Sequence, residues 1–275
     1  ATVTSMTFTG AIGAACMYPL RLIIETCVRL RIHPNALTFT GVIVNAISAW
    51  ALGTGQFFMA GVVMILANIF DFIDGKVAER TNLASEFGGF WDSVMDRFSD
   101  IFLFIGLLYL YTEQGRSDYV LITALALMFS VMTSYTRARA ESLIQKCKVG
   151  FMERPERIVL FMIGAFTNRM AAVLWVILIL SIVTVVDRIY FTWRELNTGP
   201  IELHPEVQMT LKRAVALPAL AVWHALFWTF DRATWQYDLM VIAILAFVWV
   251  TPPGWLADPT AQGPGLIGLL RSLGS

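Results

Sequence analysis

The chain has 275 residues, 57% of them hydrophobic and 15% charged, and its 20 basic and 20 acidic side chains cancel to a formal net charge of zero. With a mean hydropathy of +0.66 it is too apolar for an ordinary soluble domain and reads as a polytopic membrane protein. Zero net charge removes any global electrostatic case for nucleic acid, and three cysteines without metal-ligand spacing (Cys16, Cys27, Cys147) argue against a disulfide framework or a zinc site.

Residues 12–31 alternate apolar runs with Arg21, Glu25, Arg29 and Arg31, the pattern of an amphipathic helix lying in the interface. The same charges interrupt the first apolar stretch, and no basic run precedes it, so no cleavable signal peptide is expected. His33-Pro34-Asn35 breaks the helix, with His33 read as a turn residue. Spans follow over about 37–52, 57–80, 87–111 and from 119 into the basic stretch at 137–141, then from Pro155 to 168–169 and from 170 to 194. Residues 195–212, with Pro200 and Pro205, read as a linker, and the apolar runs 214–230 and 239–250 as two further spans or a hairpin. His224, in the first run, is expected to be an ordinary intramembrane histidine, and the tail from Thr251 is expected to be irregular.

The expected fold is therefore all-α: six membrane spans preceded by an interfacial amphipathic helix, with one or two extra C-terminal membrane helices. Residues 1–195 form the membrane domain and 196–275 a linker plus hydrophobic extension. Nearly all basic residues fall at one end of the spans, around 29–31, 76–80, 137–157 and 188–194, against Arg116 and Arg169 at the other. The positive-inside rule makes the basic end cytoplasmic, in a prokaryotic inner (cytoplasmic) membrane.

Four aspartates lie at that end: Asp71, Asp74, Asp92 and Asp96. Buried carboxylates are costly unless a cation compensates them. Residues three or four apart share a helix face, so each pair projects together, and a tight return sets the pairs opposite each other. Four convergent carboxylates suit Mg2+ or Mn2+ in a two-metal site. Small residues at 75, 78, 88 and 89 would admit a bulky phosphorylated ligand, which favours displacement at phosphorus. The plainer alternative pairs the carboxylates with Lys76, Arg80 and Arg97.

The stretch Asp71-x-x-Asp74-Gly75-x-x-Ala78, followed by Gly88-x3-Asp92-x3-Asp96, resembles the signature of CDP-alcohol phosphotransferases, and Pro34-Asn35-Ala36-Leu37-Thr38 is similar to the segment entering their first span. The resemblance covers about residues 12–195. It implies attack of an alcohol hydroxyl on the β-phosphorus of a CDP-lipid with release of CMP. It also implies Asp71, Asp74, Asp92 and Asp96 as metal ligands, Asp96 as the general base, and nucleotide contact at Gly75, Ala78, Arg80 and Gly88. The signature's arginine position holds Glu79 here, with Arg80 one place later and about 100° further round the helix. Lys76 or Arg80 is expected to compensate.

Arg137, Arg139, Arg154 and Arg157 sit at the same ends, and forked guanidinium donors suit a phosphate-bearing acceptor. Arg137-Ala-Arg139-Ala-Glu141 and Glu153-Arg154-Pro155-Glu156-Arg157 resemble the branch that makes phosphatidylinositol phosphate and archaetidylinositol phosphate, which implies inositol phosphate as acceptor and Arg137, Arg157 and Arg188 as matching positions in its pocket. Glycerol 3-phosphate is the alternative within the same chemistry. A non-catalytic subunit of a membrane complex is a second class of reading, and a divalent-cation transporter a third. Expected partners are the CDP-lipid, the phosphorylated alcohol, membrane lipids and a second copy in a homodimer, with no nucleic acid.

Overall fold

A computed structural model describes residues 20–197 and 235–261. The described residues form eight helices joined by short connections. A helix over 20–29 (α1) leads into Pro34–Gly53 (α2), Phe57–Thr81 (α3), Glu86–Glu113 (α4), Ser117–Glu141 (α5), Arg154–Thr167 (α6), Met170–Asn197 (α7) and Trp235–Val250 (α8). α2, α3, α5 and α7 are long and apolar enough to cross a membrane. α4 is 28 residues long but carries Asp92, Asp96, Arg97 and Asp100 between its start and its middle turn, and α6 has 14 residues.

Local chemistry sets most boundaries. Pro34 sits at the start of α2, where its missing N–H costs nothing, and His33 caps that helix by accepting from the Asn35 amide. Asn82 and Asn168 end α3 and α6 in the left-handed conformation that asparagine tolerates. Ser85 caps α4 through its hydroxyl, which accepts from the Gly88 amide.

Connections of only a few residues force α2 to α5 to run antiparallel, and α6 and α7 do the same. Every second helix end therefore gathers on one side: the start of α2, end of α3, start of α4, end of α5, start of α6 and end of α7. α2 packs against α3 and α4, and α7 against α5 and α6. The approach of α2 to α4 depends on Gly106, because a Cβ there would overlap the backbone of Ala49. The core lies toward the opposite ends of the helices, where Leu52, Met64, Leu107, Phe161 and the buried face of α7 meet. α1 buries Ile24 and Cys27 against Leu37, Ile73 and Val77, leaving Arg21, Glu25 and Arg29 outward.

Two expectations change in detail. Helix α7 continues through Asn197, so residues 195–197 are helical rather than linker. α8 begins at Trp235, which makes the last apolar helix 16 residues long instead of twelve. It packs on the preceding helices: the Tyr237 hydroxyl donates to Glu156 at 3.2 Å, and Arg169 donates to the Thr251 carbonyl at 3.3 Å. Tyr119 donates to the Leu256 carbonyl within the irregular segment that follows. The apolar run 214–230 with His224, residues 12–19 and the rest of the linker lie outside the described residues.

Candidate active site

α3 and α4 leave their tight connection with their aspartates facing one another. Asp71, Asp74 and Asp92 each place one carboxylate oxygen within 4.8 Å of the other two. Asp74 is buried, and the Thr38 hydroxyl of α2 donates to its Oδ2 at 2.5 Å. The α2 entry segment is pinned as well, since the Trp91 indole N–H donates to the Asn35 carbonyl at 3.3 Å.

A cavity of about 360 Å³ opens beside these carboxylates, bounded by Asn35 and Thr38 on one side and Ser85 on another. Gly75, Ala78, Gly88 and Gly89 line it, and a Cβ at Gly75 or Gly89 would meet nothing within 4 Å. The absent side chains are thus what keeps the space open. Three hard oxygen donors at such separations fit a divalent cation of the Mg2+ or Mn2+ type.

Asp96 stands slightly apart from the trio. Arg154, the first residue of α6, donates through Nη1 to Asp71 Oδ2 at 2.9 Å and forms an ion pair with Asp96 Oδ1 at 2.8 Å, so one guanidinium bridges α3 and α4. Arg97 approaches Asp96 at 3.7 Å. One turn deeper, Asp100 Oδ2 accepts from Arg157 Nη2 at 2.5 Å, and Arg157 Nη1 donates to the Thr133 hydroxyl at 3.0 Å.

On the other flank, Glu153 Oε1 accepts from Arg137 at 2.8 Å and from Arg188 at 3.3 Å. Arg188 also donates to the carbonyls of Val149 and Thr133. Gly150, at φ +88°, lets the 142–153 loop turn flat against Thr184. Cys147 of that loop is buried, and its burial pushes the thiol's pKa up.

The arginines expected to face one anion therefore divide. Arg137 and Arg154 are partly accessible, whereas Arg157 and Arg188 are 1% and 2% exposed and are held by Asp100, Thr133 and Glu153 from behind. Burial of a guanidinium requires such pairing. Arg80 departs further. It lies 4.0 Å from Glu25 and does not line the cavity, while Lys76 pairs with Glu79 at 2.8 Å. Arg80 is therefore not at the cavity edge where nucleotide contact was expected. Neither Lys76 nor Arg80 neutralises the aspartates.

Thr38, Asp100, Thr133 and Glu153 had no assigned role in the sequence. Asp100 was the most findable, because it continues the four-residue spacing of Asp92 and Asp96.

The CDP-alcohol phosphatidyltransferase family profile matches residues 31–190, more than half of the chain and the whole of this site. The chain belongs to this family. An archaetidylinositol phosphate synthase of Pyrococcus horikoshii is 32% identical over 182 residues, covering 66% of this chain and 94% of the relative. Among solved structures, the phosphatidylinositol phosphate synthase of Mycobacterium tuberculosis with CDP-DAG bound is 27% identical, with a TM-score of 0.60 over 63% of this chain and 93% of that one. The same enzyme in complex with manganese and citrate is 28% identical and also has a TM-score of 0.60, over 63% of this chain and 88% of that one. As a CDP-alcohol phosphatidyltransferase, the chain is a transferase of phospholipid synthesis with helices compatible with an integral membrane protein.

Proposed function

We propose that this phosphatidyltransferase moves a phosphatidyl-type group from a CDP-lipid to inositol phosphate. The observation that carries the reading is the meeting of three carboxylates within 4.8 Å beside a glycine-lined cavity, with Arg137 and Arg154 at the adjoining helix ends. Asp71, Asp74, Asp92 and Asp96 would hold two divalent ions. These ions supply neutralisation of the diphosphate and of the charge that develops on departing CMP. Gly75, Ala78 and Gly88 leave room for the nucleotide, and Thr38 orients Asp74.

Asp96 takes the proton of the acceptor hydroxyl as its oxygen bonds to the β-phosphorus, and the bond from that phosphorus to the CMP oxygen breaks. Arg137 and Arg154 receive the acceptor's own phosphate, while Arg157 and Arg188 hold those helix ends in place.

Six membrane crossings (α2 to α7), with α1 in the interface, suit the alternation of helix ends. The basic residues at the site's end support a cytoplasm-facing active site in a prokaryotic cytoplasmic membrane. The membrane domain ends with α7 at Asn197 and the remainder is the extension; pairing of two copies through the spans belongs to the same proposal, on the family resemblance.

Purified protein should release CMP from CDP-diacylglycerol or its ether-lipid analogue when Mg2+ or Mn2+ and inositol phosphate are supplied. Release with glycerol 3-phosphate but not with inositol phosphate would refute the acceptor assignment. If a biological role persisted undiminished in Asp96→Asn, a non-catalytic function would replace the reading altogether.

A further inference from the structure

Arg154 Nη1 donates to one oxygen of Asp71 at 2.9 Å and lies 2.8 Å from one oxygen of Asp96 in an ion pair. A divalent ion held between those two aspartates would bring its charge against the guanidinium already there, so the two cations compete for the same pair of carboxylates. A second berth lies next to the arginine. Arg154 Nε is 3.8 Å from Asp100 Oδ1, just beyond hydrogen-bond reach. Both atoms are buried and without a hydrogen-bond partner among the described residues. Two complementary buried groups left unpaired cost stability in that position and gain it if the arginine shifts about an ångström deeper.

We infer that Arg154 is a displaceable counter-ion of the metal centre: it bridges Asp71 and Asp96 in competition with a divalent ion and withdraws toward Asp100 when the ion takes those carboxylates. This deepens the proposed two-metal reading and rests on it. Asp100 is then the receiving carboxylate, already anchored on its other oxygen by Arg157. Withdrawal also frees Arg154 Nη1 to donate to an acceptor phosphate, so metal loading would precede and favour acceptor binding, a reciprocal coupling between the two sites.

The test is Mn2+ binding to purified, EDTA-stripped protein in detergent, without substrate, followed by the paramagnetic resonance of free Mn2+. Arg154→Gln should tighten the weaker of two Mn2+ binding steps about tenfold or more, within the roughly 5–150-fold range of site-to-site coupling. Arg154→Lys, which keeps the charge but not the bridging fork, should fall between; it also serves if the glutamine variant does not fold. Arg97→Gln removes a neighbouring charge that bridges nothing, and should change affinity by less than about threefold, as a partly exposed charge does. An unchanged or weaker step in both Arg154 variants would overturn the inference, as would an equal gain from Arg97→Gln. Those outcomes leave the metal centre standing. Absence of Mn2+ binding in the wild-type protein would instead remove the two-metal reading, and the inference with it.

Discussion

Replacing Asp100 by asparagine should destabilise the protein strongly. The carboxylate is 5% exposed and the Arg157 guanidinium 1% exposed, with 2.5 Å between them. Asparagine keeps the shape but removes the charge, leaving an arginine enclosed among helices without its counter-charge and with neutral partners, the Thr133 hydroxyl among them. Breaking a buried pair from one side costs about 3–5 kcal/mol, and the lower end applies because the amide oxygen still accepts one bond. For a chain of this size, a loss of about 3 kcal/mol lowers the unfolding midpoint by roughly 6–12 °C. Thermal unfolding in detergent, followed by tryptophan fluorescence, reads that shift. The double variant Asp100→Leu/Arg157→Met removes both charges and should recover much of the loss, with a coupling of at least about 1 kcal/mol relative to the single changes. An Asp100→Asn midpoint within about 2 °C of wild type, or strictly additive effects in the double variant, would show that the pair does not hold α4 to α6.

The other expectations concern the site and its surroundings. Asp96→Asn should lower CMP release by about 10²–10⁴-fold, the range for losing a general base, with an unfolding midpoint near that of wild type; near-normal turnover would move the base elsewhere. Chelation by EDTA should abolish CMP release, and added Mg2+ or Mn2+ should restore it. Arg80→Ala should change the KM for CDP-lipid by less than about threefold, since Arg80 lies against Glu25 outside the cavity; a larger rise would return it to the nucleotide site. Gly106→Ala should cost about 1–3 kcal/mol or more, because α2 must move away from the new methyl group, and the unfolding midpoint reads this directly. Cys147, whose thiol pKa is raised by burial, has less thiolate at neutral pH than a free cysteine. With Cys16 and Cys27 changed to serine, maleimide labelling should be slow in the folded protein and fast after denaturation.

Local spacing alone determined a large part of this protein. Intervals of three and four residues along a helix put Asp71 with Asp74 and Asp92 with Asp96, whatever lies around them. The few residues between α3 and α4 then oblige the pairs to face each other, and glycines at 75 and 89 leave the space open. Apolar run lengths likewise marked the helices of the core to within a few residues. Which cation meets which carboxylate was decided only by tertiary structure. Arg154 lies 83 residues from Asp71 in sequence yet bonds to it, while Lys76 and Arg80, its neighbours in sequence, turn to Glu79 and Glu25. Ion pairing is settled over a few ångströms, and that distance depends on how each helix is rotated against the next. Arg80 illustrates the point, for it lies against Glu25 and outside the cavity although Ala78, two residues earlier, lines it. The same dependence hid Thr38, Asp100 and Glu153, whose partners come from other helices or from distant turns of the chain. Helical periodicity specifies a face, and only packing specifies what that face meets.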